Sequence, residues 1–205
     1  MTETTPRPLP FILGITGNIG AGKDTVANLL SALTKAPIMP FAKYMKAGAM
    51  ARFGLTEEMV YTQEGKAAIN PLLGITNRDI LRLEGTEAAH PIYGNDIWVR
   101  VLHHDITLNH PEAALVIVPD TRHLPEAKWV RENGVLLHVE RDSNPLSAQM
   151  STHSSDLGVP YEVGDLLVNN THIPFSELLA RLLTAVKIHP GLNTAINLSI
   201  ANWVP

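Results

Sequence analysis

The sequence contains no cysteine among its 205 residues. This absence excludes disulfide bonds, zinc sites with cysteine ligands and catalysis by a thiol. Aromatic residues make up only 5% of the chain and charged residues 18%, while 45% of the residues are hydrophobic. This balance is typical of a soluble globular protein and not of a disordered or fibrous one.

No hydrophobic run approaches the ~20 residues that a membrane-spanning helix needs, and the first residues lack the basic and then apolar pattern of a secretory signal. An excess of positive charge is also missing, because the formal net charge is −4. We therefore expect a cytoplasmic protein with no membrane partner and without nucleic acid as its main ligand. The sequence leaves the assembly open, with a homodimer as one option.

A glycine-rich turn at residues 17–25 is the most informative stretch of the chain. It follows an apolar run at 9–15 and precedes residues 26–33, whose apolar side chains recur at helical spacing. A strand, a glycine-rich turn ending in Gly-Lys and a helix are the parts of a P-loop, whose backbone N–H groups bind phosphate. The residues predicted to surround the phosphates of a nucleotide are Asn18, Gly20, Ala21, Gly22, Lys23, Asp24 and Thr25.

Two side chains of this turn carry specific expectations. Lys23 is predicted to bind the β- and γ-phosphates as a point charge. The next position of a P-loop usually has Ser or Thr for Mg²⁺, and this chain has Asp24. A carboxylate is a good magnesium ligand, so the difference changes the ligand and keeps the metal. The alternative is a turn that only begins a helix, and the preceding strand and the Gly-Lys pair argue against it.

Apolar segments typical of strands alternate with segments of helical periodicity along the chain. This alternation predicts an α/β fold with a parallel, doubly wound sheet flanked by helices. We expect a single domain over residues 1–205, with a helical acceptor-binding insertion at about 41–110, a mobile lid at about 142–163 and a tail of unassigned structure at 189–205. The predicted strands are 9–15, 37–40, 113–118, 135–139 and 165–169, and the main further helices are 41–53, 77–90, 97–105, 124–133 and 175–186.

The residues that follow the predicted strands are candidates for chemistry, because doubly wound sheets bind ligands at the carboxyl ends of their strands. Asp120 and Arg122 follow the strand at 113–118, and Arg141 follows the strand at 135–139. Asp120 is a candidate second metal ligand, and the arginines are candidate catalytic groups that stabilise charge in phosphoryl transfer. The alternative for Asp120 is a residue that only caps the next helix.

Histidine and tryptophan give weaker signals. The nine histidines show no spacing typical of metal ligands. His153 lies in the serine-rich segment predicted as a lid, and Trp98 lies on a predicted helix where it could border a base pocket or simply pack.

A series of short motifs extends beyond the glycine-rich turn. They are Gly-Lys-Asp-Thr at 22–25, Phe-Ala-x-x-x-Lys at 41–46, Thr-Asn-Arg at 76–78, Gly-Thr-Glu at 85–87, Asp-Ile-Trp-Val at 96–99, Asp-x-Arg-(x)3-Glu at 120–126, His-Ser-Ser-Asp at 153–156 and Val-Asn-Asn at 168–170. In this combination and order the chain resembles the bacteriophage deoxynucleoside monophosphate kinases from about residue 9 to residue 187.

The resemblance implies a P-loop kinase that uses ATP and Mg²⁺ to phosphorylate a deoxynucleoside 5′-monophosphate, in the host cytoplasm if the gene is a phage gene. Arg141 would lie near the transferring group, and Asn169 at the end of the last strand would contact the donor nucleotide. Asn170 departs from the family pattern, which often has an acid there. The implied acceptor-side residues are Lys46, Arg78, Glu87, Trp98, Arg122 and His153.

Two other functions stay open. Another small-molecule kinase of the same fold, similar to phosphomevalonate or dephospho-coenzyme A kinases, would share the P-loop and differ in its acceptor. A P-loop ATPase or switch subunit of a larger machine would hydrolyse ATP slowly without an acceptor. The Gly-Thr-Glu motif favours a nucleotide acceptor, and the predicted lid favours a kinase because kinases exclude water from the γ-phosphate.

Overall fold

The protein, represented by a computed structural model, is described over residues 9–141 and 159–203. Two compact units are present: the described parts of Met1–Pro40 and His103–Pro205 form one, and Phe41–Leu102 forms the other. The first unit contains a four-stranded sheet in which neighbouring strands are parallel, in the order β2-β1-β3-β4. The strands are β1 (Phe11–Thr16), β2 (Leu115–Val118), β3 (Gly134–Glu140) and β4 (Leu166–Asn169).

Within the described residues, helices follow β1, β2 and β4, in agreement with the predicted α/β fold. Pro and Gly residues occur near several helix ends, where they are best tolerated. In chain order the described helices are α1 (Lys23–Thr34), α2 (Lys43–Phe53), α3 (Glu57–Tyr61), α4 (Gln63–Ala67), α5 (Asn77–Arg82), α6 (Ala89–Tyr93), α7 (Ile97–Asn109), α8 (Leu124–Asn133), α9 (Phe175–Ile188) and α10 (Pro190–Ala201).

The sheet is covered on both faces, which explains why its strands are apolar throughout. Alternate residues of all four strands, such as Leu13 and Ile15 of β1, form one core with α1, α9 and α10. The opposite face of β1 packs against α8, where a Cβ on Gly14 would lie 2.6 Å from Val130 Cγ1. Glycine at position 14 therefore permits the close approach of α8 to the sheet.

The Phe41–Leu102 unit has its own small core. Ala49, Leu55, Val60, Ile80 and Leu81 are buried together in it. Threonine side chains begin three of its short helices: Thr56 caps α3, Thr62 caps α4 and Thr76 caps α5. Each accepts a backbone N–H, which satisfies a donor that a helix start leaves unpaired.

Most predicted elements are confirmed, with shifted ends. The strand predicted at 37–40 is reduced to one parallel bridge between Ile38 and Ile117, because Pro37 and Pro40 cannot donate ladder hydrogen bonds. The tail at 189–205, left without assigned structure by the sequence, contains α10. No helix among residues 9–141 and 159–203 is long and apolar enough to cross a membrane.

The single α-helix predicted at 77–90 is not continuous in the structure. This segment contains α5, a π-helical segment at Leu83–Glu87 and the start of α6. Pro91, which the sequence predicts to separate two helices, lies inside α6. A proline fits there because the first turn of a helix leaves backbone N–H groups without intrahelical partners.

Candidate functional site

The turn between β1 and α1 has backbone angles that favour glycine at three positions. Gly17, Gly20 and Gly22 have φ angles of 140°, 77° and 95°, in a region that strains residues with a Cβ. A Cβ on Gly17 would also lie 2.2 Å from the carbonyl oxygen of Val139. The glycines therefore permit the tight turn on which phosphate binding by backbone N–H groups depends.

Lys23 is the first residue of α1, and its ammonium group lies over this turn. Nζ donates hydrogen bonds to the carbonyl oxygens of Gly17 (2.6 Å) and Asn18 (2.9 Å). These bonds hold a positive charge near the start of α1, where the helix dipole adds about half a positive charge. Asp24 and Thr25 are exposed in the same helical turn. The arrangement suits an anion such as a phosphate chain.

Two consecutive asparagines lie at the end of β4. Asn170 contacts the glycine-rich turn at residues 17–25, and Asn169 contacts its own turn. The side-chain Nδ2 of Asn170 donates to the carbonyl oxygen of Ala21 (2.9 Å). Asn169, the predicted donor-site residue, accepts the backbone N–H of Thr171 (2.8 Å) through its own Oδ1. The structure therefore assigns Asn169 a local turn-capping contact and brings its neighbour to the loop.

The carboxyl ends of β1, β2 and β3 are neighbours in the sheet, and the predicted charged residues follow two of them. Asp120 lies half-buried in the turn after β2, and Arg122 is exposed two residues later. Arg141 is exposed directly after β3. The N–H of Thr121 donates to the carbonyl oxygen of Ile15 (3.1 Å), which joins the turn after β2 to β1. These residues thus lie at the same edge of the sheet as the P-loop turn.

Two buried hydroxyl groups lie at this edge. Thr16 ends β1 and Thr121 follows Asp120, and each residue is almost fully buried. Neither Oγ1 atom has a hydrogen-bond partner within the part of the chain that the structure describes. Because an unpaired buried hydroxyl costs about 1–3 kcal/mol, its presence in a native protein is usually explained by bound water, an ion or a catalytic role.

Glu126, in the first turn of α8, fixes the segment that carries Asp120 and Arg122. Its Oε2 accepts the backbone N–H groups of Arg122 (2.7 Å) and His123 (2.9 Å), as the acid of a capping box does. Burial of the carboxyl group raises the pKa of Glu126 to about 8, and the negative charge of Asp120 adds to this effect. The two hydrogen bonds lower the pKa but do not outweigh burial. Glu126 is therefore mainly uncharged at neutral pH.

The carboxylates near the P-loop turn suit a magnesium ion. Asp24 and Asp120 offer oxygen ligands, which Mg²⁺ prefers. No group of three potential metal ligands is assembled among residues 9–141 and 159–203. One or two carboxylates completed by water and substrate phosphates are a normal magnesium site, so these residues fit the ion.

The Phe41–Leu102 unit carries four of the predicted acceptor residues. The Lys46 ammonium lies 4.3 Å from the centre of the Tyr61 ring, a cation–π distance. Arg78 donates from Nη2 to the Gln63 side-chain oxygen (2.8 Å). These cations belong to α2 and α5, which pack against each other.

The other two predicted acceptor residues of this unit are associated with the π-helical segment Leu83–Glu87, which contains the Gly-Thr-Glu motif. The indole Nε1 of Trp98 donates to the carbonyl oxygen of Gly85 (2.6 Å), and Glu87 forms an ion pair with Arg82. Short π-helical segments within helices are frequent at functional sites. Trp98 is thus held in place by the predicted motif through a partly buried hydrogen bond.

A polar cluster that the sequence does not predict joins α8, β3 and the residues before β4. The Arg131 guanidinium donates to both carboxylate oxygens of Asp165 (3.0 and 2.7 Å), and His138 Nε2 lies 2.9 Å from the second oxygen. Burial opposes ionisation of Asp165, but the hydrogen bonds from Arg131, from the Glu162 N–H and from His138 lower its pKa. The cluster therefore anchors the chain as it enters β4.

Glu126 and Asn170 contribute contacts at the sheet edge and are not among the predicted site residues. His153 lies outside the described residues, as does most of the predicted lid. Glu126 had a signal, because an acid three residues after a helix cap is typical of a capping box. Asn170 had one in the alternation of β4 side chains.

Known proteins resemble the chain in sequence and in fold. The family model for deoxynucleotide monophosphate kinase matches residues 76–180, and no curated protein matches the sequence. A solved structure from Thermus thermophilus, TT1252, is 23% identical, with a TM-score of 0.52 over 88% of this chain and 97% of that chain. At this identity the likeness concerns the fold alone.

Two further solved structures have lower scores. A shikimate kinase from Aquifex aeolicus is 13% identical, with 86% of this chain and 96% of that chain covered and a TM-score of 0.45. A gluconokinase from Sinorhizobium meliloti is 14% identical, with 96% and 100% covered and a TM-score of 0.45.

The family match covers just over half of the chain. It includes three strands of the sheet (β2, β3 and β4), helix α8, and the segment of Asp120 and Arg122. The glycine-rich turn at residues 17–25 lies outside the matched residues, and its glycines and Lys23 have backbone angles and contacts compatible with a phosphate-binding loop. The chain is a kinase with a nucleotide-binding P-loop fold, and it belongs to the deoxynucleotide monophosphate kinase family.

Proposed function

We propose that the protein transfers the γ-phosphoryl group of ATP to the phosphate of a deoxynucleoside 5′-monophosphate, giving a deoxynucleoside diphosphate and ADP. The observation that supports this most is that Lys23 and the segment of Asp120 and Arg122 follow the carboxyl ends of neighbouring strands, in a chain of this kinase family. Such a combination offers binding groups for a phosphate chain and for the charge that develops when a phosphoryl group moves.

The donor side is assigned to the P-loop turn. Lys23 would exchange its bonds to Gly17 and Asn18 for bonds to donor phosphates, since an ammonium group has three donors that can be redirected. Asp24 and Asp120 would hold Mg²⁺, which when bound neutralises phosphate charge and orients the phosphate chain.

On the acceptor side, the proposal assigns roles to residues of the Phe41–Leu102 unit. Lys46 and Arg78 would bind the acceptor phosphate, and Glu87 and Trp98 would contact the nucleoside. An oxygen of the acceptor phosphate attacks the γ-phosphorus and forms the new P–O bond. The bond between that phosphorus and the β–γ bridging oxygen breaks, and ADP leaves with the electron pair. In this proposal, Arg122 and Arg141 stabilise the charge on the transferring group.

The test is ADP production by the purified protein with ATP, Mg²⁺ and each deoxynucleoside monophosphate in turn. ADP release is followed by a coupled assay, and the diphosphate product is separated by chromatography. The proposal expects ADP formation that depends on at least one of these acceptors. Ribonucleotides, shikimate, gluconate, phosphomevalonate and dephospho-coenzyme A serve as competing acceptors.

The lysine role is tested by Lys23→Ala, with Lys187→Ala as a control that removes an exposed lysine of α9. We expect Lys23→Ala to lower kcat by about 100-fold or more while the circular dichroism spectrum is kept, because donor charge is no longer stabilised. The control should keep its activity. A normal kcat in Lys23→Ala would remove the P-loop from the mechanism.

The alternatives make different predictions in the same assay. Turnover with phosphomevalonate or dephospho-coenzyme A only would assign another small-molecule kinase. Slow ATP hydrolysis that no acceptor accelerates would assign an ATPase or switch subunit. Either result would overturn the proposed acceptor.

A further inference from the structure

Asn170 connects the end of the sheet to the P-loop turn. Its backbone N–H donates to the carbonyl oxygen of Glu140 (2.7 Å), which fixes it beside the end of β3. Its side-chain Nδ2 donates to the carbonyl oxygen of Ala21 (2.9 Å), a residue 149 positions earlier in the sequence. Because a carbonyl oxygen only accepts hydrogen bonds, the amide must present its NH₂ group to the loop.

The fit between this amide and the loop is tight. Gly22 has a φ of +95°, and a Cβ on it would lie 2.5 Å from the Nδ2 atom of Asn170. The amide therefore occupies the space that a side chain at position 22 would need. Gly22 is also the residue that caps α1, directly before Lys23.

The hydrogen bond determines the direction of a neighbouring backbone donor. Ala21 C=O and Gly22 N–H belong to one peptide group, and the described chain contains no cis peptide bond. In a planar trans peptide the C=O and N–H point in opposite directions. A side chain that holds the Ala21 oxygen therefore also directs the Gly22 N–H away from Asn170.

We propose that Asn170 is a positioning residue for the donor nucleotide, which sets the Ala21–Gly22 peptide so that the Gly22 N–H is ready to bind a donor phosphate. This inference rests on the proposed use of ATP and names a residue that acts through the loop and not on the acceptor.

The experiment measures donor and acceptor binding separately in the full-length protein. ADP affinity is determined by calorimetry without any acceptor, and KM is determined for ATP and for the acceptor. The variants are Asn170→Ala, which removes the donor, and Asn170→Asp, which keeps the shape and replaces the NH₂ with an acceptor. Asn193→Asp, at an exposed position of α10, is the control for the added charge.

We expect Asn170→Ala to weaken ADP binding and raise KM for ATP by about fivefold, the value of one hydrogen bond, with KM for the acceptor unchanged. Asn170→Asp should weaken donor binding further, because its charge repels the Ala21 oxygen and the phosphates. Hydrogen exchange of the Gly22 amide should become faster in both. Asn193→Asp should match the original protein.

Three results would overturn the inference. They are unchanged ADP affinity in both Asn170 variants, an equal rise in the two KM values, and a loss of thermal stability alone. Because ADP binding needs no acceptor, this measurement stands even if no deoxynucleoside monophosphate is phosphorylated. A failure of the proposed function is therefore distinguishable from a failure of the Asn170 role.

Discussion

Replacing Glu126 with Gln should change how the stability of the protein depends on pH. The carboxyl group is almost completely buried, and its pKa is raised from its ordinary value of 4.5 to about 8. Gln has the same shape and can still accept the N–H groups of Arg122 and His123, but it cannot ionise. The variant thus isolates the titration of one buried group.

The sign follows from where the proton is bound. Between pH 4.5 and about 8, folded Glu126 keeps a proton that the unfolded chain has released. Stability from this group is therefore complete below pH 4.5 and is lost as the pH rises through about 8. At 1.36 kcal/mol for each pKa unit, the loss between about pH 5 and about pH 8 is roughly 3 kcal/mol.

The measurement is urea unfolding followed by circular dichroism at about pH 5, 6.5 and 8, in buffer with a chelator. The free energy of unfolding of Glu126→Gln, relative to the original protein, should rise by roughly 3 kcal/mol across this range. Glu132→Gln, which changes an exposed acid of the same helix, should show no such trend. A stability difference that is independent of pH would refute the buried, protonated state of Glu126.

Three further substitutions test other contacts by urea unfolding. Asp165→Ala should cost about 3 kcal/mol, because it leaves the largely buried Arg131 with only the exposed carboxylate of Glu162 and His138 without its partner; a cost below about 1 kcal/mol would show that the Arg131–Asp165 ion pair does not anchor this segment. Asn77→Ala should cost about 2 kcal/mol, since its buried amide donates to Gly65 O (2.8 Å), and an unchanged midpoint would contradict this. Thr16→Val should keep or raise stability by about 1 kcal/mol, because it removes an unpaired buried hydroxyl; a clear loss would reveal a partner for that hydroxyl.

The sequence predicted the sheet well because its signals are local. β1, β2 and β3 are apolar on both faces and end at polar residues, so their positions could be read directly. The π-helical segment Leu83–Glu87 could not be read, since one extra residue in a turn hardly changes an apolar pattern. The sequence analysis left residues 189–205 unassigned, although Pro190 lies in the first turn of α10, where proline is favoured.

The candidate site also contains some features that the local sequence predicts and others that it does not. The P-loop turn is contiguous, so its glycines and Lys23 were recognisable from their order alone. The Arg131–Asp165 pair joins residues 34 positions apart, and no local pattern reports such a contact. The pKa of Glu126 was equally invisible, because it depends on burial that only the packed structure provides.

The pairing of β4 with the sheet determines whether Asn169 or Asn170 contacts the glycine-rich turn at residues 17–25. Side chains of a strand alternate between faces, and Leu166 and Val168 of β4 are buried in the core that α1 also lines. Continuing this alternation places Asn170, and not Asn169, on the face of α1 and its loop. Register decides which asparagine reaches the loop, since a slip of one residue would exchange the two.

The contacts that fix this register lie at both ends of β4. Asp165, directly before the strand, is held by Arg131 and His138. The Asn170 N–H, directly after it, donates to Glu140 O (2.7 Å). A four-residue strand that is exposed on alternate positions has little apolar area to define its pairing. The Arg131–Asp165 ion pair before β4 and the hydrogen bond of Asn170 after it therefore both favour the register that brings an amide donor to Ala21.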